Sequence, residues 1–140
     1  MKDWMRVLAD HYQQTRESHP RDQLLILFDI DGTVLDMREM ILHLLKAYDR
    51  AHETHHAIDL KREDIQVHEN DITPLLNRMP LLPEEKESIL QWFNNLAWSP
   101  LAVRVAHRPY HGVLEIIRWF QMQPNTYVGL NSGRSERLRA

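Results

Sequence analysis

Apolar positions along the chain follow two periods. Trp4, Val7, Leu8, His11 and Tyr12 recur at the 3.6-residue spacing of an amphipathic helix. This predicts a helix over residues 1–20, ending near Ser18-His19-Pro20 and packing on the domain that comes after it. Leu24-Leu25-Ile26-Leu27-Phe28 is instead a continuous apolar run, stopped by Asp29-Ile30-Asp31-Gly32. A run apolar on both faces suits a buried strand of a parallel sheet. Helical spacing returns in Met37, Met40, Ile41, Leu44, Leu45 and Tyr48, a stripe expected in the core. Asp36 and Glu39 before it have the spacing of a capping box.

Residues 51–109 are polar and mostly helical in pattern. Pro83 suits a first helical position, and Glu84 and Glu85 suit the first turn, where negative charge meets the helix dipole. Ile89, Leu90, Phe93, Leu96 and Ala97 give that helix its inner face, and Ser99-Pro100 stops it. A shorter helix is expected over residues 71–79, and a weak strand-like alternation spans residues 101–105. Val113, Leu114, Ile116, Ile117 and Phe120 mark another helix, broken by Pro124-Asn125. Residues 126–130 read as a second buried strand, running into Asn131-Ser132-Gly133-Arg134 and the start of a further helix. There is no internal repeat. Helix, strand, helical insert, helix, strand is an α/β order with a large insertion after the first strand.

Composition narrows the picture. The chain has 140 residues, 43% hydrophobic and 26% charged, the balance of one globular domain rather than a disordered segment. A net charge of −3 gives no global attraction to nucleic acid or anionic lipid. No run approaches a membrane span, and there is no apolar signal core. Without cysteine there are no disulfides and no thiolate chemistry, and the cytoplasm is the expected compartment.

The chemistry centres on Asp29 and Asp31. Residues two apart on an extended segment point the same way, so both carboxylates are expected to leave the carboxyl end of the first strand together. Two such charges repel unless a cation or a shared proton intervenes. Mg²⁺, with its oxygen ligands, answers that need where phosphate is also present. One carboxylate then suits a nucleophile and the other a proton donor. The other reading is a turn with both aspartates solvated or capping the next helix.

Leu25-Ile26-Leu27-Phe28-Asp29-Ile30-Asp31-Gly32-Thr33-Val34-Leu35-Asp36 closely resembles the first motif of the haloacid dehalogenase superfamily of phosphohydrolases. The resemblance implies a Rossmann-like parallel sheet with a helical cap inserted after the first strand. It implies Asp29 as the nucleophile that becomes an aspartyl phosphate, and Asp31 as acid and then base. It also implies Mg²⁺ held by the Asp29 carboxylate and the Asp31 main-chain carbonyl. Val128-Gly129-Leu130-Asn131-Ser132-Gly133-Arg134 resembles the second motif, with Ser132 and the Gly133 N–H as phosphate donors. Arg134 is left between a phosphate contact and a solvent-facing position.

On this reading residues 1–20 are an N-terminal helix, residues 21–36 and 109–140 form an incomplete α/β core, and residues 37–108 form the cap. In the family such a cap closes over the active site. The later Lys and acidic motif of the family have no counterpart after Ser132, so the chain is expected to be an N-terminal portion, inactive alone. The implied activity is Mg²⁺-dependent hydrolysis of a small phosphomonoester; a phosphomutase would use the same pair, and oligomeric state is not readable. Two alternatives stand beside it. One is a phosphate-binding module without turnover. The other is a zinc hydrolase using His52-Glu53-x-x-His56, where His52 and His56 would share a helical face.

Overall fold

The computed structural model describes residues 3–105 and 108–134. Its described residues form a mixed α/β chain with six α-helices and a two-stranded parallel sheet. They divide into two compact units, residues 3–34 with 109–134, and residues 35–105 with 108. The helix expected to follow Arg134 lies outside the described residues.

The first unit holds α1 (Asp3–Ser18), β1 (Leu24–Asp29), α6 (Val113–Gln121) and β2 (Thr126–Asn131). β1 and β2 run parallel, with Leu24 opposite Thr126 and Asp29 opposite Asn131. Parallel neighbours need a long crossover, and the intervening chain supplies it. Leu24, Ile26, Phe28 and Val128 pack with Tyr12, Ile116 and Phe120, so α1 and α6 contribute to the same small core. Tyr12 Oη lies 2.8 Å from Thr126 Oγ1. Arg16 donates to the carbonyls of Asp22, Pro124 and Asn125, tying the end of α1 to the entry of β2.

The continuous apolar run of β1 is not buried on both faces as expected. Its burial alternates, and Leu25 and Leu27 are 64% and 62% exposed. Tyr127, opposite Leu25, and Leu130 are exposed as well. Burial follows the side on which Tyr12, Ile116 and Phe120 pack, and among the described residues nothing equivalent covers Leu25 and Leu27.

The second unit holds α2 (Arg38–His52), a 3₁₀ turn (Arg62–Asp64), α3 (Thr73–Arg78), α4 (Pro83–Leu96) and α5 (Pro100–Val105). The stripe Met37, Met40, Ile41, Leu44, Leu45 and Tyr48 is buried throughout, against Leu75, Leu76, Ile89 and Phe93. Pro83 opens α4, and the Glu85 carboxylate accepts the Leu82 N–H at 2.7 Å. Residues 101–105 are helical, not strand-like. α4 ends at Leu96, Trp98 turns the backbone with φ +67°, and Pro100 begins α5 rather than serving only as a stop.

The capping box expected at Asp36 and Glu39 does not form. α2 starts at Arg38, and its N-cap Met37 makes no side-chain cap bond. Asp36 is buried; Oδ1 accepts the Arg38 N–H, and both oxygens take the Arg38 guanidinium, at 2.8 and 2.7 Å. Glu39 instead accepts from Arg62 and Arg108. Arginine partners within reach outcompete the weaker reciprocal cap. Buried Asp49, in the last turn of α2, accepts from Thr54 Oγ1 and from the His56 and Ala57 N–H groups, fixing the turn that follows.

Burial alone would raise the pKa of both aspartates. For Asp36 the hydrogen bonds and charge of Arg38, with Arg62, outweigh it; for Asp49 the bonds from Thr54, Ala57 and His56 do. Both groups therefore sit below the ordinary 3.8. A depressed folded pKa contributes stability above the unfolded value and loses it as pH falls through the folded value. The unfolding midpoint is expected to drop below about pH 5, and Asp36→Asn with Asp49→Asn to flatten that part of the profile while lowering stability at pH 7. An unchanged acid limb in the double variant contradicts the assignment.

The uneven sheet makes a second prediction. Phe120→Ala is expected to cost about 3–5 kcal/mol, whereas Leu27→Ser stays within about 0.5 kcal/mol. Urea denaturation of the two variants checks this; a Leu27→Ser loss matching that of Phe120→Ala contradicts the exposed face.

Candidate active site

The parallel register sets the site. Asp29, the last residue of β1, is exposed and lies opposite Asn131, the last residue of β2. The Ile30 N–H donates to the Asn131 carbonyl at 3.1 Å, carrying the pairing one step past the strand. The segments Ile30–Asp31 and Ser132–Arg134 thus leave the sheet together at its carboxyl edge, where open α/β sheets place their ligand sites.

Local chemistry explains the turn after β1. Gly32 has φ +77°, a conformation costly to any residue with a Cβ. It lets Thr33 fold back, and Thr33 Oγ1 donates to Asp29 Oδ2 at 3.2 Å. The Val34 N–H closes the turn on the Ile30 carbonyl at 2.9 Å.

The two aspartates do not continue one extended segment. β1 stops at Asp29, Ile30 turns, and Asp31 takes an isolated bridge position with a different side-chain partner. The Arg134 guanidinium spans the Asp31 carboxylate. Nε lies 3.0 Å from Oδ1 and 2.8 Å from Oδ2, and Nη2 also donates to Oδ1. The Arg134 and Asp31 side chains are 14% and 13% exposed. Charge-assisted contacts this shielded are worth more than surface pairs.

Ser132 and Gly133 follow β2 directly. The Ser132 hydroxyl oxygen accepts the Arg134 N–H at 3.1 Å, which fixes the turn and leaves the hydroxyl proton available as a donor. Beside β1, a cavity of about 600 Å³ is lined largely by apolar side chains, among them Leu8, Ile26 and Phe28, and reaches Asp29 and Thr33.

Asp29, Asp31, Ser132 and Gly133 thus all belong to one unit and one edge. Arg134 does not face solvent, because Asp31 engages it. This pairing spans 103 residues of sequence, and only the register of β1 on β2 could have foretold it. The donors suit a hard cation: Mg²⁺ takes one or two protein oxygens and completes its shell with water and phosphate. Among the described residues no group of three or more His, Asp or Glu is placed to hold a metal ion.

His52, Glu53 and His56 do not share a helical face. α2 ends at His52, and Glu53 turns left-handed with φ +53°. His52 stacks on Tyr48 at 4.0 Å with Nδ1 3.0 Å from the Tyr48 carbonyl, while His56 Nε2 lies 3.6 Å from Glu85. Each imidazole is engaged separately.

Comparison with protein-family models, curated proteins and solved structures found no match to this chain. Among the described residues, no helix is long and apolar enough to cross a membrane.

The turn geometry is testable by substitution. Gly32→Ala is expected to cost about 1–2 kcal/mol, since it forces a Cβ into a left-handed conformation. Thr33→Val, which keeps the shape and loses one exposed bond, is expected to cost under about 1 kcal/mol. Equal losses in chemical denaturation contradict this account of the turn.

Proposed function

We propose that this chain carries the nucleophile of a Mg²⁺-dependent phosphomonoester hydrolase of the haloacid dehalogenase type. One observation supports the reading above the others. Asp29 and the Ser132–Arg134 turn stand at the same carboxyl edge of a parallel strand pair, joined by the pairing of Asp29 with Asn131.

In this reading an Asp29 carboxylate oxygen attacks phosphorus, and the phosphorus–oxygen bond to the alcohol breaks. Asp31 gives its proton to the departing oxygen, leaving an aspartyl phosphate on Asp29. Asp31 then takes a proton from water, which attacks phosphorus and releases phosphate and free Asp29. The Ser132 hydroxyl and the Gly133 N–H donate to phosphoryl oxygens, where charge accumulates in the transition state. Thr33 holds the Asp29 carboxylate in place through its Oγ1–H. Mg²⁺, held by the Asp29 carboxylate and the Asp31 carbonyl, would offset the charge between carboxylate and phosphate. The substrate class is a small phosphorylated metabolite, and a phosphomutase would use the same two carboxylates.

Phosphate binding without turnover is the second reading. It is favoured by the engagement of both Asp31 oxygens with Arg134.

Hydrolysis of p-nitrophenyl phosphate by the native polypeptide that carries this sequence separates the two. The proposal expects Mg²⁺-dependent turnover, lowered at least ~10³-fold in kcat by Asp29→Asn and roughly 10²–10⁴-fold by Asp31→Asn. Full turnover in Asp29→Asn rejects the nucleophile. Saturable phosphate binding with no turnover favours the binding module.

A further inference from the structure

We infer that Arg134 is a phosphoryl-binding residue held by Asp31 until a phosphate group arrives, and that it then exchanges one anion for the other. The inference rests on the phosphatase reading of Asp29 and Asp31, and it names the cation that meets the phosphate.

The geometry carries it. A guanidinium presents paired N–H donors in a planar fork that matches carboxylate and phosphate equally well. Here that fork covers both oxygens of Asp31, through Nε at 3.0 and 2.8 Å and through Nη2. The residue is fixed at its base, because the Arg134 N–H is held by Ser132 Oγ at 3.1 Å. That turn starts one residue beyond Asn131, which lies opposite Asp29. A phosphate seated at Asp29 therefore arrives beside a cation that already neutralises the neighbouring acid. A phosphoryl dianion offers the fork more charge than one carboxylate. Moving the fork to phosphate frees the Asp31 oxygens to take a proton from solvent and pass it to the leaving group, so the acid becomes available when substrate is in place. Without phosphate, the pair spares two neighbouring aspartates some of their mutual repulsion.

Inorganic phosphate is the probe, titrated by calorimetry into the wild-type chain, Arg134→Gln, Asp31→Asn and the double variant. Exchange expects Arg134→Gln to weaken phosphate binding about tenfold and Asp31→Asn to tighten it about tenfold, by removing the competitor. In the Arg134→Gln background, Asp31→Asn should then change affinity by less than about threefold, a coupling that a double-mutant cycle reads directly. Equal tightening in both backgrounds overturns the exchange, because it reports only the loss of a negative charge. A second readout does not depend on how the neutral variants fold. The Arg134 Nε–H resonance, assigned by its loss in Arg134→Lys, should shift on phosphate addition; a resonance unmoved at saturating phosphate overturns the exchange. A folded wild-type chain that binds no phosphate removes the phosphatase reading and this inference together. Binding without coupling removes the inference alone.

Discussion

The parallel pairing of β1 with β2, in the register that sets Asp29 against Asn131, is the constraint from which the candidate chemistry follows. It brings two chain segments, about a hundred residues apart, out of the sheet at one edge. Each ends in a short turn with its own local lock. Gly32 and the Thr33 hydroxyl fix the first, and the Ser132 hydroxyl fixes the second. The Arg134–Asp31 pair then ties turn to turn. Changing the register by a single step would move Arg134 relative to Asp31 by about 3.3 Å, more than a hydrogen bond tolerates.

The two units solve different physical problems. Residues 35–105 enclose fourteen buried apolar residues in one cluster, whereas the cluster of the strand-bearing unit holds three, so polar ties matter more to the latter. Tyr12 with Thr126 and Arg16 with the carbonyls before β2 are such ties, all binding α1 to the second strand. The helical unit buries charge as well. Asp36 and Asp49 each lie out of water and each is answered by several donors, which is the condition for keeping a carboxylate ionised inside a fold.

Much of this was legible in the sequence because the relevant signals are local. The stripe from Met37 to Tyr48 has one helical period and one buried face, and Pro83 with Glu85 marks a helix start by chemistry confined to one turn. The α/β class, with one parallel strand pair, followed from two apolar runs separated by helical spacing. The errors fell where a competing partner or signal outweighs the local pattern. Leu25 and Leu27 look buried in a strand of five apolar residues, but burial depends on what packs on each face. Asp36 and Glu39 have capping-box spacing, yet Arg38, Arg62 and Arg108 claim their carboxylates. The helix of residues 100–105 was hidden by a β-branched alternation and by a proline that begins it. At the site, Asp29, Asp31 and Ser132 were named as candidates from local motifs, while the pairing of Arg134 with Asp31 required a contact across the sheet.

The central claim is that Asp29 takes phosphorus at the edge shared with Ser132 and Arg134. The most direct measurement is a crystal structure of the native polypeptide grown with Mg²⁺ and beryllofluoride, a mimic of the acyl phosphate. The account predicts beryllium bonded to an Asp29 carboxylate oxygen, fluorines within hydrogen-bond reach of Ser132 and Arg134, and Asp31 released from the guanidinium. An unmodified Asp29 facing bulk water, with the Arg134–Asp31 pair intact, would contradict it.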